Sequence, residues 1–199
     1  MPTLPYPLDS FAYCRTSQNH EDGIINAIIE RIPMPRYFVE FGAEPQQCNC
    51  LELRRQGWDG LFMDEKSSPD SWIKPERVTP DNIEPLMLKY SVPEEFGVLS
   101  IDIDGQDIWV WRAIERRPVL VVIEYNNAME SGETPRDDNF HGQGQYVWGA
   151  SLSAMNEVGE SKGYVLVWAN HVNAFFLRRD CFDNPDDFGK EKAAPARGG

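Results

Sequence analysis

Apolar positions change period repeatedly along the chain, and each change marks a new element. Ile24, Ile25, Ile28 and Ile29 fall on one helical face and predict a helix over residues 20–31. After it, Tyr37-Phe38-Val39-Glu40-Phe41 is a short, mostly apolar run closed by Gly42, the pattern of a strand covered on both faces. A helix over 46–56 follows, with Gly57 as its stop signal, and then a second strand over 60–64. A short strand is expected around Arg77-Val78, and then a helix from Thr79 to about Tyr90 with Pro80 in its first turn. Residues 97–102 and 119–124 are the clearest strands, separated by a helix over 107–115. Beyond a polar stretch at 127–146 come a helix over 148–162 and two strands, 164–169 and 174–178, which read as a hairpin around Asn170-His171-Val172-Asn173.

Strand and helix thus alternate until the hairpin. That order predicts an α/β, doubly wound, Rossmann-like sheet, mostly parallel, with a C-terminal antiparallel hairpin. Residues 1–19, with Pro2, Pro5 and Pro7, read as an N-terminal arm, 20–182 as one domain, and 183–199 as a polar tail expected to be disordered. Ligands in such sheets bind beyond the carboxyl ends of the strands. Four polar segments occupy those predicted ends: Glu40 to Gly42, Asp64-Glu65, Asp102 to Asp104, and Glu124 to Asn126. They are expected to converge on one rim. The 127–146 stretch is longer than most connections and is of the kind that forms lids or binding surfaces.

Charge narrows the choice of ligand. Thirty-two acidic against 19 basic residues give a net charge of -13 over 199 residues, which disfavours nucleic acid and anionic membrane surfaces. No apolar run reaches membrane-spanning length, and Met1 to Pro5 lacks the regions of a signal peptide, so a cytoplasmic protein acting on a small molecule is expected. Oligomeric state is left open. Cys14, Cys48, Cys50 and Cys181 show no paired spacing for zinc and read as reduced thiols, with Cys48 and Cys50 on different faces of the predicted 46–56 helix. Trp109 and Trp111 cannot share one helix face, so one is expected inside and the other toward the rim or a partner.

From residue 18 to residue 179 the order of these segments resembles the class I S-adenosylmethionine-dependent methyltransferases, and their small FkbM-like branch most of all. Val39-Glu40-Phe41-Gly42-Ala43 is similar to that family's first motif, which implies that Glu40, Gly42 and Ala43 seat the methionine portion of S-adenosyl-L-methionine. Asp64 resembles the acidic residue that ends the second strand and holds the ribose. A carboxylate there, Asp64 or Glu65, accepts the two donors of a ribose diol. The resemblance further implies that Val78 to Asn82, Asp81 among them, lies at the adenine, and that Asp102 and Asp104 face the methyl donor. His20, ahead of Glu21-Asp22-Gly23, resembles an amino-terminal signature near the cofactor, or else caps the first helix. One departure stands out: Glu44-Pro45-Gln46-Gln47 replaces a glycine-rich turn. Pro45 has no N–H to donate and Glu44 repels a pyrophosphate, which favours a positive sulfonium over NAD or a nucleotide.

The expected chemistry is in-line methyl transfer to an oxygen or nitrogen of a small molecule, with His141 in the long loop as candidate base and with Asp102 and Asp104 beside the methyl group. Asp102, Asp104, Glu124 and Asn126 together are an all-oxygen set suited to Mg2+ or another divalent cation; otherwise these groups hydrogen-bond substrate or cap helices. The altered loop also leaves open non-methylating chemistry on the same cofactor, or a catalytically silent binding module of the same fold.

Overall fold

Strand burial explains why the apolar runs are continuous rather than alternating. In the computed structural model, which describes residues 2–5, 7–136 and 148–187, six strands form one mixed sheet in the order β2-β1-β3-β4-β6-β5. They are β1 (Tyr37–Phe41), β2 (Asp59–Met63), β3 (Val98–Ile101), β4 (Leu120–Glu124), β5 (Tyr164–Ala169) and β6 (Asn173–Arg178). β1 to β4 pair in parallel, while β6 runs antiparallel between β4 and β5. Five helices complete the alternation: α1 (Glu21–Ile29), α2 (Leu51–Arg55), α3 (Ile83–Lys89), α4 (Asp107–Ala113) and α5 (Leu152–Ser161).

Successive strand residues point to opposite faces, and both faces are covered. On one, Phe38, Phe62, Leu120, Val122 and Phe175 pack with Ile24, Ile25 and Ile28 of α1 and Leu53 of α2. On the other, Val39, Phe41, Ile101, Val121 and Phe176 meet α3, α4 and α5 through Met87, Trp111 and Met155. Trp111 is 1% exposed, against Phe176 and Tyr164. Trp109, on another face of the helix, is half-buried and donates from Nε1 to the Thr134 carbonyl.

Several elements differ from their sequence-based expectations. The helix expected over 46–56 contracts to α2, because residues 44–49 form a loop tied down by a Cys48 N–H to Thr16 and by the Glu40 carboxylate. Cys48 and Cys50 therefore precede that helix; both are buried, and all four cysteines are free. Gly57, at φ +81, ends the helix as expected. No strand forms at Arg77-Val78; a single parallel bridge joins Met63 to Lys74 instead. The next helix begins at Ile83, so the proline in its first turn is Pro85 and not Pro80. The 148–162 helix shortens to α5, whose start is set by Ser151 Oγ accepting the Ala154 N–H at 3.2 Å.

The N-terminal segment is part of the packed body. Leu4 and Leu8 are 4% and 2% exposed in the α1-side core, and the Asp183 N–H donates to the Pro2 carbonyl. Asp22 gathers the following turn. Its carboxylate accepts the backbone N–H groups of Arg15, Thr16 and Ser17 at 2.6, 2.7 and 2.9 Å, and both hydroxyls of Thr16 and Ser17. Among the described residues, no helix is long and apolar enough to cross a membrane.

Candidate functional site

The carboxyl ends of β2, β1, β3 and β4 open into a cleft of about 1360 Å³, which also reaches Asn173 at the start of β6. Five neighbouring strands span four spacings, roughly 19 Å of rim. The turn after β1 is set by backbone packing. Gly42 has φ +76, and a Cβ there would lie 1.5 Å from the Asp102 carbonyl oxygen, so only glycine lets β1 and β3 approach this closely. The N–H groups of Gly42 and Ala43 both donate to the Met63 carbonyl, at 3.0 and 3.2 Å. They line the cleft with their hydrogen bonds already directed to β2.

Glu40 likewise faces inward. It is 4% exposed and accepts the Asn49 and Cys50 N–H groups at 2.8 and 2.7 Å, fixing the loop before α2. Burial pushes its carboxyl up to about 7, with those two donors opposing. Asp64, half-buried at the end of β2, accepts the Lys66 N–H at 2.7 Å through Oδ1, which leaves Oδ2 without a donor among the described residues. Glu65 is exposed and 3.7 Å from Arg77. Asp81 does not line the cleft, contrary to its expected place at the adenine; exposed beyond Thr79 and Pro80, it pairs with Arg136.

The densest acid lies at β3 and β4. Asp102 and Glu124 hydrogen-bond each other. Desolvation first, and then the neighbouring carboxylates, push Asp102 up to about 7 and Glu124 to about 10. Asp104 is exposed on the intervening turn at φ +60, followed by Gly105 at φ +108, which agrees with a tight turn presenting it to the rim. Asp107 organises that turn by accepting the Ile103 and Gly105 N–H groups at 2.9 and 2.8 Å, and burial raises its carboxyl to about 6. The Asp102-to-Asp107 spacing contains the signal for this role, because a helix-starting aspartate readily receives the N–H groups of the preceding turn.

The expected four-residue cation set does not assemble. Asn126 is turned away from Asp102, donating to the Trp148 carbonyl at 2.7 Å and accepting the Ala128 N–H at 2.9 Å, beside a smaller cavity of about 350 Å³. Its side chain is occupied by the loop it closes. Among the described residues, no group of three or more histidine, cysteine or acidic side chains is placed to hold a metal ion. His141 lies outside the described residues. His20 precedes α1 at φ +74, with Nδ1 3.4 Å from the Cys14 sulfur, while His171 is exposed beside the smaller cavity.

Two cleft residues went unrecognised in the sequence. Glu21, fully buried at the start of α1, accepts the Asn19 N–H at 2.7 Å and the side-chain amides of Asn170 and Asn173 at 3.0 and 2.9 Å. Asn173 sits opposite Glu124 in the β4–β6 register. Some 150 residues separate the partners, so no local pattern announces the contact.

Fold and site together define an α/β protein with an acidic cleft at the strand ends. Compared with known proteins, the chain matches no family model and no curated protein.

Proposed function

We propose that the cleft holds S-adenosyl-L-methionine and that the protein, as a Rossmann-like class I methyltransferase, transfers a methyl group to an oxygen or nitrogen of a small molecule. The observation that carries this reading is the concentration of acid at one end of the sheet: Asp107 and Asp104 raise the proton affinity of Asp102 and Glu124, and among the described residues no ion pair offsets these four. Such a field attracts a ligand bearing positive sulfur and an ammonium and repels phosphates. When bound, the cofactor supplies an electrophilic methyl carbon. Asp64, with Oδ2 open, suits a ribose hydroxyl; Gly42 keeps the central rim clear of side chain; Asp102 is an acceptor for a proton leaving the nucleophile. His141, which lies outside the described residues, is a further candidate base, while Asp102, Asp104 and Glu124 are not placed together as a cation site.

Calorimetric titration with S-adenosylmethionine tests the reading. Asp64→Ala is expected to weaken binding about tenfold through the lost charge-assisted hydrogen bond; an unchanged affinity removes Asp64 from the ribose site. The prior engagement of the Gly42 and Ala43 N–H groups favours one second reading, a binding module without chemistry. Thermal-shift titration with and without magnesium separates the two, since absence of any shift with the cofactor supports the module.

A further inference from the structure

The end of the cleft farthest from Asp64 contains a polar atom that the fold leaves unmatched. Asn173 is 3% exposed, and its Nδ2 donates to Glu21 Oε1 at 2.9 Å, while its Oδ1 is buried with no hydrogen-bond partner among the described residues. The amide cannot simply turn over, because that would set Oδ1 against the Glu21 carboxylate. Asn173 and Glu124 line the same cleft and stand opposite each other on β6 and β4, and Glu124 is hydrogen-bonded to Asp102. The proton that joins that carboxyl pair is used between its members, and an approaching cation favours the ionised form of Asp102. To a cation this corner therefore offers oxygen acceptors: Asn173 Oδ1 and the carboxyl oxygens of Asp102 and Glu124 that are not used between the two. A hydroxyl brings a single donor and lone pairs that need donors in return. A primary ammonium brings three donors, a positive charge and no lone pair, and matches every group present.

We infer that the β4–β6 end of the cleft is a subsite for a primary ammonium group of the acceptor molecule, received by Asn173 Oδ1, Asp102 and Glu124. Naming its bearer the methyl acceptor rests on the methyltransferase reading; the ammonium site does not. The full chain is titrated at pH 7 with benzylamine hydrochloride and, in parallel, with the neutral isostere benzyl alcohol, while nitrogen–proton correlation spectra are recorded. Benzylammonium is expected to shift the Asn173 side-chain amide and to bind about tenfold more tightly than the alcohol, as charge-assisted hydrogen bonds to a desolvated site require. Asn173→Ala removes the unmatched acceptor, and the isosteric Asp102→Asn removes the charge without changing shape; each is expected to cost about tenfold in benzylammonium affinity. Equal binding of the two probes, no shift at Asn173, or Asp102→Asn binding benzylammonium as the parent does would each overturn the subsite. A titration with S-adenosylhomocysteine on the same sample keeps the two readings apart. Shifts at Gly42 and Asp64 without ammonium selectivity retain the cofactor and remove the subsite, whereas ammonium selectivity with no response to the nucleoside retains the subsite and removes the cofactor.

Discussion

At the scale of single residues, burial converts ordinary carboxyls into groups that titrate near neutrality. Asp102 is raised from its ordinary value of 3.8 to about 7, chiefly by desolvation and then by Asp107, Asp104 and Glu40. The folded protein thus keeps a proton that the unfolded chain has already released, so stability falls as pH rises from about 4 through 7. Because Asp102 and Glu124 interact strongly, the transition belongs to the pair. Asp102→Asn abolishes the penalty, and thermal melts should show the variant gaining on the parent between pH 5 and pH 8, at about 2–4 °C for each kcal/mol recovered. A gain that does not change with pH would mean that the pair is not desolvated. The acidic positions themselves were readable at strand ends, but their roles were not. Glu40 and Asp107 spend both oxygens on backbone N–H groups, whereas Asp102 and Glu124 spend theirs on each other. Which applies depends on neighbours supplied by other strands.

At the scale of elements, periodicity located every strand of the sheet and most helices, because strands buried on both faces and helices with one apolar stripe each leave a local signature. The misplaced boundaries share one cause. α2 and α3 begin late because side chains and backbone from elsewhere engage the preceding residues: Glu40 holds Asn49 and Cys50, while Asn82 Oδ1 accepts the Thr79 N–H. The turn ahead of α1 shows the energetic consequence. Burial alone would raise the Asp22 carboxyl, but the N–H groups of Ser17, Thr16 and Arg15 outweigh it and hold it below the usual range. Asp22→Ala leaves those donors without their acceptor and is expected to destabilise the fold by about 3 kcal/mol in urea titration. The native contribution is present above pH 4 and lost as pH falls through the lowered value. Residues 17–19 line the cleft, so the same variant should also weaken binding of the proposed cofactor; a stability loss below 0.5 kcal/mol, within the range of a surface change, would deny Asp22 this role.

At the scale of the whole molecule, the two ends of the described chain are tied together beneath the sheet. Leu4 and Leu8 are buried with α1, and the Leu4 N–H and carbonyl both bond the Asn184 side chain. Leu8→Ala should therefore cost about 2–5 kcal/mol, the range for a buried leucine, measured by chemical denaturation; a near-neutral result would restore the picture of a detached arm. By itself, the sequence determined the order of strands and helices, the mostly parallel α/β sheet with its antiparallel ending, and the concentration of acid at strand ends, since each is written in spacing and composition within a few residues. Only the tertiary structure decided that Asn126 and Asp81 turn away from the cleft, that Gly42 is required by the Asp102 backbone, and that Glu21 and Asn173 meet. The physical reason is that hydrogen-bond satisfaction and desolvation depend on what is close in space, and for these residues the decisive neighbours lie far away along the chain.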